Sequence, residues 1–188
     1  MGFFSLLMII FLALVVLALL WGVSAYNRLV RLKALHSEGW SGIDVQLKRR
    51  YDLIPNLVEV VKQYGIHEKE VLENVTKMRS VSMGVTGIDK KAQAEAGLTQ
   101  ALKTLFAVSE NYPDLKANEN FLALQKELSA IEQDIQLARR YYNGATRNYN
   151  IVVETFPSKV VASFTGFSKE PYFQLASEAE REVPKVKF

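Results

Sequence analysis

The sequence predicts an all-α protein: an N-terminal transmembrane helix followed by a long antiparallel helical bundle of three to four long helices. Three observations lead there. Phe3 to Val23 is an unbroken apolar run of 21 residues with Ser5 as its one polar side chain. From Leu29 onward, hydrophobic residues recur at steps of three and four, which marks one face of a helix. No stretch alternates convincingly with period two, so no sheet is expected.

The 188 residues leave room for one domain plus accessories. Their hydrophobic share of 49% is unevenly spread, because all 23 basic and all 20 acidic residues stand at Arg28 or beyond. An apolar anchor thus precedes a polar helical body, with expected boundaries at 1–25 (anchor), 26–167 (bundle) and 168–188 (polar tail). A net charge of +3 is too small to argue for nucleic acid, which usually meets a clustered basic face. The absence of cysteine excludes disulfides, thiolate chemistry, cysteine metal sites and lipidation on cysteine.

At about 1.5 Å per residue the run Phe3 to Val23 spans roughly 30 Å, the thickness of a bilayer core. A cleaved signal peptide is the competing reading, since Val23-Ser24-Ala25 resembles a small-residue cleavage site. The apolar core exceeds the usual span of about 7–15 residues, and neither Lys nor Arg precedes it. A retained anchor in the bilayer, residues 3–23, is therefore expected. Trp21 and Tyr26 sit where aromatic residues favour the interface. Arg28, Arg31 and Lys33 follow at once, and the positive-inside bias keeps that flank and the body cytoplasmic.

The body is organised around the stretch from Trp40 to Tyr64. One heptad position takes Leu29, His36, Ile43, Arg50, Leu57, Tyr64, Val71 and Met78. The other takes Lys33, Trp40, Leu47, Ile54, Val61, Glu68 and Val75. The spacing predicts one long helix, or two nearly collinear ones, from about Tyr26 to Ser80. Pro55 lacks an N–H and clashes with the Tyr51 carbonyl, so a kink is expected there. A break into separate helices at Pro55 or Gly65 is the competing expectation.

Ser82 to Asp89 reads as a loop. Asp89 is expected to cap a helix to about Glu110, with Ala94, Leu98, Ala101, Leu105 and Val108 inward. Asn111-Tyr112-Pro113-Asp114 is a turn, and Asn118 is the expected cap of the next helix. That helix has the cleanest period, from Phe121 through Leu128, Ile131, Ile135, Tyr142 and Tyr149 to Val152 and Phe156. Pro157 stops or bends it, a short helix over 158–163 follows, and Gly166 ends that. Phe164, Phe167, Tyr172 and Phe173 are expected to fold back on the bundle.

Candidate chemistry is sparse. Di-iron bundles need Glu-x-x-His on two helices, but Lys33 and Tyr64 stand three residues before His36 and His67. No zincin spacing, nucleophile elbow or phosphate-binding glycine loop occurs. No catalytic residue, metal or cofactor is predicted. Glu127, Glu132 and Asp134 are expected to be solvated or paired rather than catalytic. Lys48-Arg49-Arg50 is the densest basic run, but Asp44 and Asp52 flank it, so no nucleic-acid partner is expected. Arg50 on the apolar seam requires a carboxylate, with Glu127, Glu132 or Asp134 as candidates, and its expected role is fixing register. Tyr141, Tyr142, Tyr149, Asn143, Asn148 and Asn150 either line a polar groove or pack with their polar tips at the bundle rim.

These stretches resemble the LemA family. The resemblance is carried by Tyr26-Asn27-x-Leu29-Val30-x-Leu32, by WSGIDVQLKRRYDLIPNLV from Trp40 to Val58, and by His67-Glu68. It continues through Leu105 to Asn118, Ala138-Arg139-x-Tyr141-Tyr142-Asn143 and Phe156-Pro157. Gly42 and Gly144-Ala145 depart from it. The resemblance implies a bacterial inner-membrane protein with one N-terminal anchor, a helical body facing the cytoplasm and no established enzymatic activity. It further implies association with an integral-membrane zinc metalloprotease of the heat-shock kind, and kinship with a magnetosome-membrane protein.

The resulting expectation is a membrane-anchored helical scaffold or adaptor, not an enzyme, that binds membrane protein partners and self-associates into a homo-oligomer. The expected partner-binding residues are the exposed positions of the shared stretches: Asp44, Lys48, Arg49, Asp52, Asn56, Asp114, Lys116 and Asn118. Trp40, Arg50 and Pro55 are expected to be structural. Competing expectations are a bundle-based hydrolase or ligand-sensing protein, and a membrane-remodelling protein.

Overall fold

The computed structural model describes residues 2–64 and 68–174. Gly65, His67 and the tail beyond Gln174, all subjects of sequence expectations, lie outside the described residues. Six helices and no strand occur among the described residues: α1 (Gly2–Gln63), α2 (Lys69–Gly84), α3 (Ile88–Ser109), α4 (Pro113–Lys116), α5 (Glu119–Glu154) and α6 (Ser158–Thr165).

The expected helix from Tyr26 to Ser80 is corrected in two ways. Its start merges with the apolar run, so that α1 begins at Gly2, and its end falls at Gln63. The next helix, α2, is not collinear with it. Arg79 and Ser82 of α2 meet Tyr51, and Leu72 and Thr76 share a hollow with Val58 and Lys62, so α2 runs antiparallel to α1. The break does not come at Pro55, through which α1 is continuous. A proline leaves the carbonyl four residues back without its N–H partner. That carbonyl, on Tyr51, accepts instead from Arg79 Nε at 2.7 Å.

At the α2–α3 turn Gly87 takes a φ of 88°, a conformation that side-chain-bearing residues rarely adopt. The expected Asp89 cap is also corrected: Gly87 stands at the cap position and Asp89 lies in the first turn of α3, where its charge favours the helix dipole. Asn118 does cap α5, accepting from Phe121 N at 2.9 Å while its amide donates to Tyr64 Oη at 2.6 Å. Gly166 ends α6 with φ 78°. Phe164 does not fold back; it is 86% exposed, and Phe156 is 84% exposed in the turn beyond α5.

The chain divides into two compact units. The first comprises Met1–Trp40 and Tyr141–Pro171. Its core joins Leu29, Tyr149, Val152, Val153 and Ala162, with Leu32, Val161 and Phe167 against them. Rings dominate: Tyr149 meets Phe167 at 6.5 Å and His36 at 6.2 Å between centroids, and Trp40 meets Tyr142 at 5.8 Å. Gly39 lets α1 approach α5 closely, because a Cβ there would lie 3.0 Å from Tyr142 Cα. The Tyr142 hydroxyl donates to Pro171 O at 2.8 Å, so the 2.9 Å bond from His36 requires a proton on Nε2. Asn150 pairs with both backbone groups of Glu170, at 2.8 and 2.9 Å, and fastens the chain after α6.

The second unit comprises Ser41–Arg140 and Tyr172–Phe188. Ile43, Leu47, Ile54, Leu57 and Val61 of α1 are buried there, as are Leu72 and Val75 of α2. Leu98, Ala101 and Leu105 of α3 and Phe121, Leu128, Ile131 and Ile135 of α5 complete a mostly aliphatic core. Those are the steps of three and four that the sequence displays.

Candidate functional site

Within the aliphatic core of the second unit lies one ionic centre. Arg50 of α1 and Glu95 of α3 are respectively 1% and 0% exposed. Burying either charge alone would be costly, so each must be paired and hydrogen-bonded. Arg50 Nη2 donates to Glu95 Oε2, and the Tyr51 hydroxyl donates to Glu95 Oε1. Arg50 Nη1 donates to Glu132 Oε2 at 2.7 Å and to Thr99 Oγ1 at 3.1 Å. One guanidinium therefore ties α1 to both α3 and α5. Lys91, also buried, donates to Ser82 O at 2.9 Å and lies 5.7 Å from the centre of the Tyr51 ring.

Burial, and then the Glu95 carboxylate, push the Tyr51 phenol far above its usual range, so it remains a donor. Both Glu95 oxygens are engaged from within the centre. The arrangement orients helices. No group of three or more His, Cys, Asp or Glu among the described residues is placed to hold a metal ion.

Above this centre α3 and α5 leave an open groove of about 890 Å³. Leu102, Phe106, Leu122 and Leu128 line it, Lys103 and Lys126 flank them, and Arg50 and Glu132 contribute to its wall. The buried Arg50 Nε has no acceptor among the described residues. An apolar trough of this kind, with basic flanks, suits the apolar face of an amphipathic segment carrying acidic residues.

The sequence-nominated residues fall elsewhere. Asp44, Lys48, Asp52 and Asn56 form one exposed stripe on α1 at steps of four. Arg49 is drawn toward α5, 3.5 Å from Asp134, and also donates to Gln46 at 2.9 Å. Asp114 and Asn118 line a shallow hollow with Tyr64, and Lys116 is exposed on α4. Of the acids nominated for Arg50, Glu132 reaches it, Asp134 pairs with Arg49, and Glu127 is exposed. Tyr142, Tyr149 and Asn150 are buried rather than lining a groove, while Tyr141 and Asn148 are exposed. Trp40 is half-buried, and Pro55 is exposed on the outer side of α1.

Sequence reasoning missed Glu95, Thr99, Tyr51 and the whole α3–α5 groove. A signal existed. Lys91, Glu95 and Thr99 recur one turn apart beside the apolar stripe of α3, a polar line beside a face that must be buried.

The LemA family model matches residues 39–188. The magnetosome protein MamQ 2 of Paramagnetospirillum magneticum is 27% identical over 175 residues, covering 79% of this chain and 64% of its own length. MamQ of Magnetospirillum gryphiswaldense is 25% identical over 174 residues, with the same coverage. The chain thus spans less than two-thirds of the length of these magnetosome relatives. Protein LemA of Metamycoplasma hominis is 30% identical over 164 residues, covering 85% of this chain and 73% of its own. By this match over most of its length, the chain belongs to the LemA family.

Proposed function

We propose that this protein is a membrane-anchored helical adaptor whose second unit receives an amphipathic segment of another membrane protein in the α3–α5 groove. The carrying observation is the groove itself, with Leu102, Phe106, Leu122 and Leu128 along it and Lys103 and Lys126 beside them. The apolar run within α1, long and apolar enough to cross a membrane, would hold the body at the bilayer. Tethering raises its effective concentration near membrane partners. The positive-inside bias favours a cytoplasmic body on the inner membrane.

The partner class implied by the family resemblance is a membrane zinc metalloprotease. Self-association is the accompanying proposal, read from size in mild detergent, where a monomer alone would remove it. The stripe Asp44, Lys48, Asp52 and Asn56 is the second proposed contact surface. Phe106→Glu with Leu122→Glu, both at groove positions, tests the main reading. The variant should keep its helical spectrum and lose its co-purifying membrane proteins. Unchanged co-purification would contradict the reading.

A further inference from the structure

Helix α6 has two unlike faces. Ala162 is buried and Val161 packs on the aromatic core of the first unit. On the opposite side Val160 and Phe164, one turn apart, are 45% and 86% exposed. Phe156, in the turn just before α6, is 84% exposed. Two phenylalanines this bare beside an exposed valine form an apolar patch that needs a physical reason.

The position of α6 supplies one. Ala162 shares a cluster with Leu29, and Phe167, just past α6, meets Tyr26 at 5.8 Å between ring centroids. The apolar run of α1 ends at Val23, so Tyr26 and Leu29 lie only roughly 5 and 9 Å further along the same helix. The patch is therefore held beside the point where α1 would leave a bilayer. Arg28, Arg31 and Lys159 are exposed on these same segments, and cations at that level attract anionic headgroups. An amphipathic helix with aromatic residues on one face and Lys or Arg nearby lies in the headgroup–acyl boundary.

We propose that Phe156, Val160 and Phe164 seat in the bilayer surface, making α6 a second, in-plane membrane contact beside the anchor. The proposal rests on reading residues 3–23 as that anchor, and the occupant it commits to is lipid. Two contacts rather than one fix the tilt and rotation of the first unit at the membrane, which a single spanning helix does not.

The chain has no cysteine, so single-cysteine variants can carry an environment-sensitive fluorophore in the full chain. The membrane is a vesicle of phosphatidylethanolamine and phosphatidylglycerol with nitroxide-labelled lipid. The variants are Leu12→Cys in the apolar run, Phe164→Cys and Val160→Cys on α6, and Glu38→Cys, about 18 Å beyond Tyr26 along α1. Val160→Cys leaves both rings in place and so reports even where loss of Phe164 weakens the contact. The expected result is blue-shifted emission at 12, 160 and 164. Deep nitroxides should quench position 12, headgroup-level nitroxides should quench 160 and 164, and 38 should stay aqueous and unquenched.

Aqueous emission at both 160 and 164 with position 12 in lipid would overturn this inference and leave the anchor standing. Blue-shifted but unquenched emission at 160 and 164 would also overturn it, since protein, a second copy or another polypeptide, would then cover the patch. An unquenched position 12 would overturn the anchor reading and this inference with it.

Discussion

Helices α1 and α5 supply both units, yet the two are held by opposite chemistry. In the first unit α1 and α5 pack through rings, and their polar bonds are neutral: His36 to Tyr142, Tyr142 to Pro171, Asn150 to Glu170. Its ion pairs, Lys33 with Glu170 and Lys169 with Glu154, stand at its partly or fully exposed edge. In the second unit the packing is mostly aliphatic, although Phe106 and Phe121 meet at 6.1 Å between centroids, and a fully buried guanidinium and carboxylate sit inside it. Aromatic packing with a close backbone approach at Gly39 fixes separation by shape. Leu and Ile packing is more forgiving of sliding, and the Arg50 centre supplies a directional constraint there instead. The two units should therefore fail in different ways when their own device is removed.

The largest effect is expected at Glu95. Glu95→Ala leaves Arg50 buried with only its partly exposed partners, and should cost about 3–5 kcal/mol in denaturant unfolding. Combining Arg50→Met with Glu95→Leu removes both charges and should return most of that loss. A double variant as unstable as Glu95→Ala would show that the centre matters for more than its own neutrality.

Next comes Gly39→Ala in the first unit. The added methyl meets the α5 backbone at 3.0 Å, and overpacking of this kind costs about 1–3 kcal/mol. The same substitution at Gly42, where nothing lies within 4 Å, should instead stabilise by about 0.4–1 kcal/mol. Equal responses at the two glycines would remove the shape distinction between the units.

Arg79→Ala should cost about 1–2 kcal/mol, because it strands the Tyr51 carbonyl that Pro55 leaves open. In a Pro55→Ala background that carbonyl regains its helical partner, and the penalty should shrink. A double-mutant cycle with no coupling would contradict the assigned role.

The smallest effect concerns pH. Burial, reinforced by Lys33 and partly offset by Glu170, lowers the His36 pKa below its usual 6.5. The unfolded chain then binds the proton more readily than the folded one. This contribution to stability is present above pH 6.5 and is lost as pH falls from there through the folded pKa. Stability measured from about pH 7.5 to about pH 5 should decline through that residue, and His36→Asn should flatten its share of the decline.

Much of this was legible in the sequence. The apolar positions of α1 and α5 announce their buried faces because period 3.6 survives in any helical packing. Arg50 announced a buried partner for the same reason. What periodicity does not carry is direction. Val71, Val75 and Met78 continue the heptad of α1 numerically, yet α2 turns back, and Leu72, Val75 and Ser82 become its buried positions. Gly65 offered a possible break in the sequence, but a lone glycine does not say which way the chain continues. Glu95 escaped because a lone acid on a helix is usually solvated, and only the partner across the bundle reveals otherwise. The groove was hidden for a different reason: Leu122 and Phe106 stand beside the apolar stripes of their helices, and whether they share a groove depends on how far α3 and α5 stand apart.

The central claim is that the second unit holds a groove for another polypeptide at the membrane. Photo-crosslinkable residues placed at Leu122 in the groove and at Glu59 on exposed α1 test it directly, with irradiation of intact membranes carrying the full chain. Leu122 should yield a discrete adduct with another membrane protein, and Glu59 should not. Crosslinks from Leu122 only to lipid, or none above the Glu59 background, would contradict the claim.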